Sequence, residues 1–243
     1  MDKRLNNIVD NLDTMKIEVV DSFKFHCTMC GKCCINRDDI LLTPKDIFNM
    51  AQELRATPWE MYVKYCETYI GGDSRMPLVR LKPHGLVKRC PLLKDHKCSI
   101  HKAKPSVCAM FPIGRYIKIE SDRQSSEDII MGKPQFIFTN PGCGDDTETH
   151  TVQEWLSESG IPVEDEFFRK WIQTIYELGT IFRDAEKTQD GSIMELAWKA
   201  TFVILYLSYD MGQTFLPQFE KNAENIKELI HRMSKGEGGA QDE

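Results

Sequence analysis

Four cysteines fall within eight residues, Cys27-x2-Cys30-Gly31-x-Cys33-Cys34, and four more follow at Cys90, Cys98, Cys108 and Cys143. In a chain kept reduced, such crowding points to metal ligation, because Cys-x2-Cys spacing lets two sulfurs meet one ion across a tight turn. Gly31 suits that turn, since glycine takes positive φ without steric cost. Eight thiols make two complete four-thiolate sites. The candidate metal ligands are therefore Cys27, Cys30, Cys33, Cys34, Cys90, Cys98, Cys108 and Cys143, and Cys66 is left over as a packing residue on an expected helix.

Cys33 and Cys34 carry a further expectation. Consecutive side chains of an extended segment point to opposite faces, so the two thiols fit one tetrahedral ion only awkwardly. The partition expected is Cys27, Cys30 and Cys33 with one later cysteine, and Cys34 with the remaining three. Spacing leaves open which later cysteine completes which site. His26, His84, His96 and His101 lie near the thiols and are expected at the surface or behind the ligands rather than among them. Asp38-Asp39 and Asp145-Asp146 read as solvated loop acids rather than as carboxylate pairs for a hard cation.

Charge narrows the classes of partner. With 31 Lys and Arg against 37 Asp and Glu the net charge is −6, which argues against a dedicated nucleic-acid binder. Locally the balance reverses: Arg80 to Arg115 holds nine basic residues against the single acid Asp95, and Cys90, Cys98 and Cys108 lie within it. That stretch is either a solvated basic face or a source of cations offsetting thiolate charge. The opening MDKRLNNIVDNLDTMK has no apolar signal-peptide core, so a cytoplasmic chain with reduced thiols is expected. Thr201 to Leu207, the longest apolar run, is far short of the roughly 20 residues of a membrane span and reads as a buried core helix.

Local signals divide the chain. Thr43-Pro44 with Asp46, and Thr57-Pro58 with Glu60, are capping boxes with proline at the first helical position, predicting helices near 44–54 and 58–69. Alternation predicts short strands at Ser22–His26, Val79–Lys82, Tyr116–Ile119 and Gln135–Phe138. Beyond residue 148 the pattern turns helical: Thr151 with Glu154 and Ser192 with Glu195 read as capping boxes, and helices are expected near 164–186, 193–210 and 215–233, the middle one apolar nearly all round. The fold class expected is α+β: an N-terminal arm (1–20), an irregular cysteine-rich, metal-organised domain of short strands and helices (21–148), a C-terminal helical bundle (149–233) and a disordered tail (234–243).

The same residues carry a resemblance. Phe25-His26-Cys27-Thr28-Met29-Cys30-Gly31-Lys32-Cys33-Cys34, Leu42-Thr43, Cys90-Pro91-Leu92-Leu93, Cys98-Ser99-Ile100-His101, Pro105, Cys108, Phe111-Pro112 and Cys143 resemble the YkgJ-type CxxCxxCC cysteine-cluster family, described as zinc- or iron-chelating, over roughly residues 23–145. Three positions depart from its common pattern: His101 stands for Tyr, Lys104 for Arg and Ala109 for Arg. The resemblance implies intact metal ligands and the loss of two guanidinium groups, and with them of any bidentate anion recognition those groups gave. One branch of the family is similar to flagellin lysine methylases, but the likeness here is confined to the cysteine domain and carries no methyl-donor site.

Four-thiolate sites suit both zinc and iron–sulfur clusters. Cys-x2-Cys-x2-Cys with a distant Cys-Pro only partly echoes the bacterial ferredoxin run, and zinc is preferred. Two functions follow: a non-catalytic metal-binding protein whose centres are mainly structural, its helical half packing on the cysteine domain or on a partner protein of unknown identity; or an iron–sulfur redox module or metal-dependent enzyme of unknown substrate. Eight thiolates in two closed sites favour structure, since catalytic zinc keeps a position open for water or substrate.

Overall fold

The computed structural model describes residues 8, 10–37, 39–118 and 132–234. Asp38, the strand end at Ile119, much of the arm before Asp10 and the tail beyond Ser234 lie outside them. Eight helices and ten short strands among the described residues make an α+β protein: α1 (Leu12–Met15), α2 (Pro44–Leu54), α3 (Pro58–Tyr65), α4 (Ser106–Met110), α5 (Val152–Glu158), α6 (Glu166–Ala185), α7 (Gly191–Phe202) and α8 (Phe215–Ser234), with β1 (Lys16–Ile17), β2 (Ser22–His26), β3 (Leu41–Leu42), β4 (Cys66–Ile70), β5 (Pro77–Leu81), β6 (Leu93–Lys94), β7 (Lys97–Cys98), β8 (Ile113–Tyr116), β9 (Gln135–Phe138) and β10 (Asp145–Thr151). None of the described helices is long and apolar enough to cross a membrane.

By compactness the chain forms two interleaved units. One takes the chain up to Leu41 and Arg80–Glu166; the other takes Leu42–Val79 and the chain from Phe167 on.

In the first unit, β1, β9 and β8 form an antiparallel sheet, and β2 pairs with β10. Alternation in Ser22–His26 sends Phe23 and Phe25 inward, where they join Met110, Ile113, Phe136, Val152 and Leu156 in one core. Trp155 stands edge-on to Phe23 and Phe25. The Trp155 indole N–H donates to the Met110 carbonyl at 2.9 Å, so the aromatic body is packed and its polar tip satisfied. The strand expected at Tyr116–Ile119 runs instead over Ile113–Tyr116, because Ile113 is its buried anchor.

In the second unit, Thr43 and Thr57 cap α2 and α3 through capping boxes with Asp46 and Glu60. Helix α3 stops at Tyr65, short of the expected 69, and residues Cys66–Ile70 are a strand; three of its five residues, Thr68, Tyr69 and Ile70, are β-formers. Asp190, not Ser192, caps α7, its carboxylate accepting from the N–H groups of Ser192 and Ile193. Residues Val203–Leu207 continue α7 as a π-helical turn. Thr201, Leu205 and Tyr206 are buried, but Leu196 is 61% and Val203 45% exposed, so this helix buries a face rather than its whole circumference. Phe167, Trp171, Phe215 and Phe219 pack edge-on or stacked to complete the aromatic core.

Candidate metal centre

All eight candidate ligands lie in the first unit and Cys66 lies in the second. Cys66 is 6% exposed and donates to the Met61 sulfur at 3.7 Å, and burial pushes its thiol up to about 12. It packs, as expected.

Leaving β2, the backbone turns at Met29 and Gly31, with φ of 52° and 70°. Residues Lys32–Cys34 then make one 3₁₀ turn. The extended backbone assumed for Cys33-Cys34 is therefore not what forms. Successive side chains of a 3₁₀ turn are about 120° apart rather than opposed, and the two sulfurs stand 3.9 Å apart. Tetrahedral zinc with Zn–S of about 2.3 Å separates its sulfurs by about 3.8 Å. Such a pair can share one ion or stand where two sets adjoin.

The later cysteines are brought back by short local elements. The Cys90 N–H donates to the Cys34 carbonyl at 2.8 Å. Strands β6 and β7 form a hairpin with Leu93 opposite Cys98, closed by Asp95 and His96 at φ of 47° and 61°, the mirror-image turn that fits strand twist. Cys108 sits in α4. The Cys33 and Cys34 thiols are hydrogen-bonded, and Cys90 is close enough to Cys34 for each to act on the other. Cys34 raises the Cys33 thiol and lowers that of Cys90; Cys34, lowered by Cys33 but raised by Cys90 and by burial, ends at about 11. Burial pushes Cys108 up to about 12, and the charges of Cys34, Cys33 and Cys98 also raise it.

Cys143 returns by a different route. Strand β10 sets Asp145 opposite His26, with a bulge between Asp145 and Thr149. This register carries Cys143-Gly144 to the cysteine turn. Gly144 has φ of 72°; a Cβ there would collide with the His26 carbonyl oxygen and stand 2.7 Å from Phe25 Cε2. Only glycine allows the two backbones so close. Its N–H helps the Lys32 N–H to hold the Cys30 thiol below its ordinary value, while burial and then Cys33, Cys30 and Cys27 push Cys143 up to about 11.

The eight thiols are neighbours of one another: Cys33, Cys30 and Cys27 act on Cys143, Cys33, Cys90 and Cys98 act on Cys34, and Cys34, Cys33 and Cys98 act on Cys108. Among the described residues no three His, Cys, Asp or Glu side chains already make a formed metal site, so this is a grouping of neighbours rather than a finished coordination sphere. Its donor chemistry, all thiol, fits a tetrathiolate ion or an iron–sulfur cluster.

The cations come from unexpected places. Arg37, 8% exposed, donates to the Cys33 carbonyl at 3.2 Å and ion-pairs with Asp39, and its charge lowers the Cys33 and Cys108 thiols against their net rise. Asp39 is therefore not the solvated acid expected; a buried guanidinium takes it out of water. Asp145 and Asp146 are exposed, and Asp145 binds Thr147 and stands 3.2 Å from the His26 ring. From the basic stretch Lys104 reaches the Cys33 thiol electrostatically, whereas Lys82, Lys88, Lys94 and Lys97 are exposed. Most of that stretch is a solvated face.

Residues 26–135 match the CxxCxxCC family, described as "Putative zinc- or iron-chelating domain". Cys143 lies beyond the matched segment, and the β2–β10 pairing returns it to the cluster. An uncharacterized protein of Methanocaldococcus jannaschii is 32% identical over 98 residues, 38% of this chain and 47% of that protein, so the chain spans about half the length of the curated relative it matches. No solved structure matches. The CxxCxxCC match supports metal binding in general; it leaves zinc and iron as alternatives.

Proposed function

We propose that the protein binds two metals through thiolates, one by Cys27, Cys30, Cys33 and Cys143 and one by Cys34, Cys90, Cys98 and Cys108, and that both have a mainly structural role. What supports this is the convergence of eight thiols on one part of the first unit, with Cys143 perturbed by Cys33, Cys30 and Cys27, and Cys34 and Cys90 perturbed by each other and by Cys98. Zinc is the preferred ion, since eight thiolates in two closed fours leave no position open for water or substrate and suit a structural ion. Bound there, zinc supplies cross-linking of chain segments that share little apolar surface, and binding free energy becomes folding free energy. The elements that present the thiols are two-residue strands, a 3₁₀ turn and a five-residue helix, too short to be stable alone.

The test is anaerobic purification without chelators, followed by elemental analysis, an absorption spectrum and native mass spectrometry of Cys143→Ser and Cys98→Ser. Two zinc per chain in a colourless sample, with each variant losing one, is the expected result. Broad visible absorption with iron makes the protein an iron–sulfur module, and a metal content near zero refutes the proposal.

A further inference from the structure

A cavity of about 410 Å³ opens beside Cys27, Cys30, Cys33, Cys108 and Cys143 in the first unit. That volume lies within the range of small-molecule sites, and it far exceeds what one ion held by four thiolates fills. The lining is mixed: His101, Lys102 and Lys104 bring basic groups, Phe111 and Trp155 aromatic ones, and Glu158 is the acid. Lys104 is near enough to act on both the Cys33 thiol and the His101 ring.

His101, Lys104 and Ala109 all line this space. Alanine at 109 adds only a methyl group to the wall and leaves room. Lysine at 104 offers a single ammonium rather than a planar two-pronged donor.

We propose that this cavity binds a small organic anion, its carboxylate or phosphate meeting Lys104 and its apolar part resting on Phe111 and Trp155 in the space that Ala109 leaves. The proposal builds on the metal reading only in that the thiol set forms one wall. An ammonium in a half-enclosed site makes a charge-assisted hydrogen bond to such an anion, and the two aromatic rings offer a flat apolar face. Glu158 disfavours a second negative charge beside it, so a compact monoanion fits best.

The test uses the full chain as purified, with benzoate as the probe, titrated by calorimetry and followed by tryptophan fluorescence, with Trp155→Phe showing which part of the signal comes from Trp155. Neutral benzamide and inorganic phosphate are the controls, and elemental analysis accompanies every sample. Saturable benzoate binding is expected, with benzamide and phosphate each at least about tenfold weaker. Lys104→Met should weaken benzoate by about tenfold, the usual cost of one charge-assisted bond. Ala109→Arg should abolish binding while metal content stays at the wild-type value. Lys104→Met alters a partly exposed side chain and keeps the proposal testable should Ala109→Arg fold poorly. No saturable binding, benzamide equal to benzoate, phosphate equal to benzoate, or full binding by Lys104→Met overturns it. Benzoate binding in a protein found to lack metal supports this proposal and refutes the metal reading alone.

Discussion

Gly144→Ala isolates the closest backbone approach at the cysteine turn. Two costs are expected. Alanine at φ of 72° pays about 1 kcal/mol for the left-handed conformation. The new methyl also meets the His26 carbonyl oxygen and Phe25 Cε2, and neither yields easily: the first is main chain in β2, and Phe25 is 3% exposed within the core. Overpacking of this kind costs about 2 kcal/mol. The sum, about 3 kcal/mol, is a large share of the stability of an ordinary domain. Gly142→Ala is the matched control, because Gly142 has a similar φ of 59° but nothing within 4 Å of its Cβ, and it should cost only about 1 kcal/mol. Urea unfolding of the metal-loaded protein, followed by thiol labelling, measures both, since eight of the nine cysteines report on the first unit. Equal costs for the two variants would falsify the argument that Gly144 is required by the approach to His26 rather than by its own φ.

Other expectations follow from the same geometry. Arg37→Met removes the guanidinium paired with Asp39 in a site where both side chains are 8% exposed, so a loss of about 3 kcal/mol is expected by denaturation, with Arg37→Met/Asp39→Asn recovering part of it. Cys66→Ala should keep full metal content by native mass spectrometry, because its sulfur only packs on Met61. Chelation followed by limited proteolysis should open sites in 21–41 and 80–148 while α2, α3 and the helices from Glu166 on stay protected; cuts within α2 or α3 at the same rate would refute this. Since Cys34, Cys108 and Cys143 are held up at about 11, 12 and 11, they are protonated at neutral pH and must lose their protons to bind metal. Metal affinity should therefore fall as pH falls, with proton release seen by calorimetry in buffers of different ionisation enthalpy.

What could be read from the sequence was what neighbouring residues decide. Thr43, Pro44 and Asp46 sit within one helical turn, and the helix they announce runs over Pro44–Leu54 as expected. The same holds for Thr151 with Glu154, whose capping box starts α5. Ser192 misled because Asp190, two residues earlier, is the stronger acceptor and takes the first free N–H groups of α7. For Cys33-Cys34 the alternation rule needed an extended backbone, and Gly31 at positive φ directs the chain into a 3₁₀ turn instead. Asp39 was illegible for another reason: its partner Arg37 is only two residues away, yet both are buried by segments distant in sequence, with the N–H groups of Asn36 and Arg37 bonded to the carbonyls of Val87 and Lys88. The interleaving of Leu42–Val79 with the C-terminal helices has no local signature either, since it is decided by which apolar faces meet.

Strand β10 sets Asp145 against His26, 119 positions earlier in the chain, and under the proposed pairing of thiols this sets an order of assembly during synthesis. In that pairing Cys34, Cys90, Cys98 and Cys108 are all present once the chain has been made to Cys108, whereas Cys27, Cys30 and Cys33 wait for Cys143. At synthesis rates of about 5–20 residues per second that wait lasts some seconds. During it the three waiting thiols, Cys27 and Cys30 exposed even in the finished fold, are open to oxidants and to stray ions. A stalled nascent chain in which Cys108 but not Cys143 has emerged from the ribosome should therefore carry one metal, and a completed chain two.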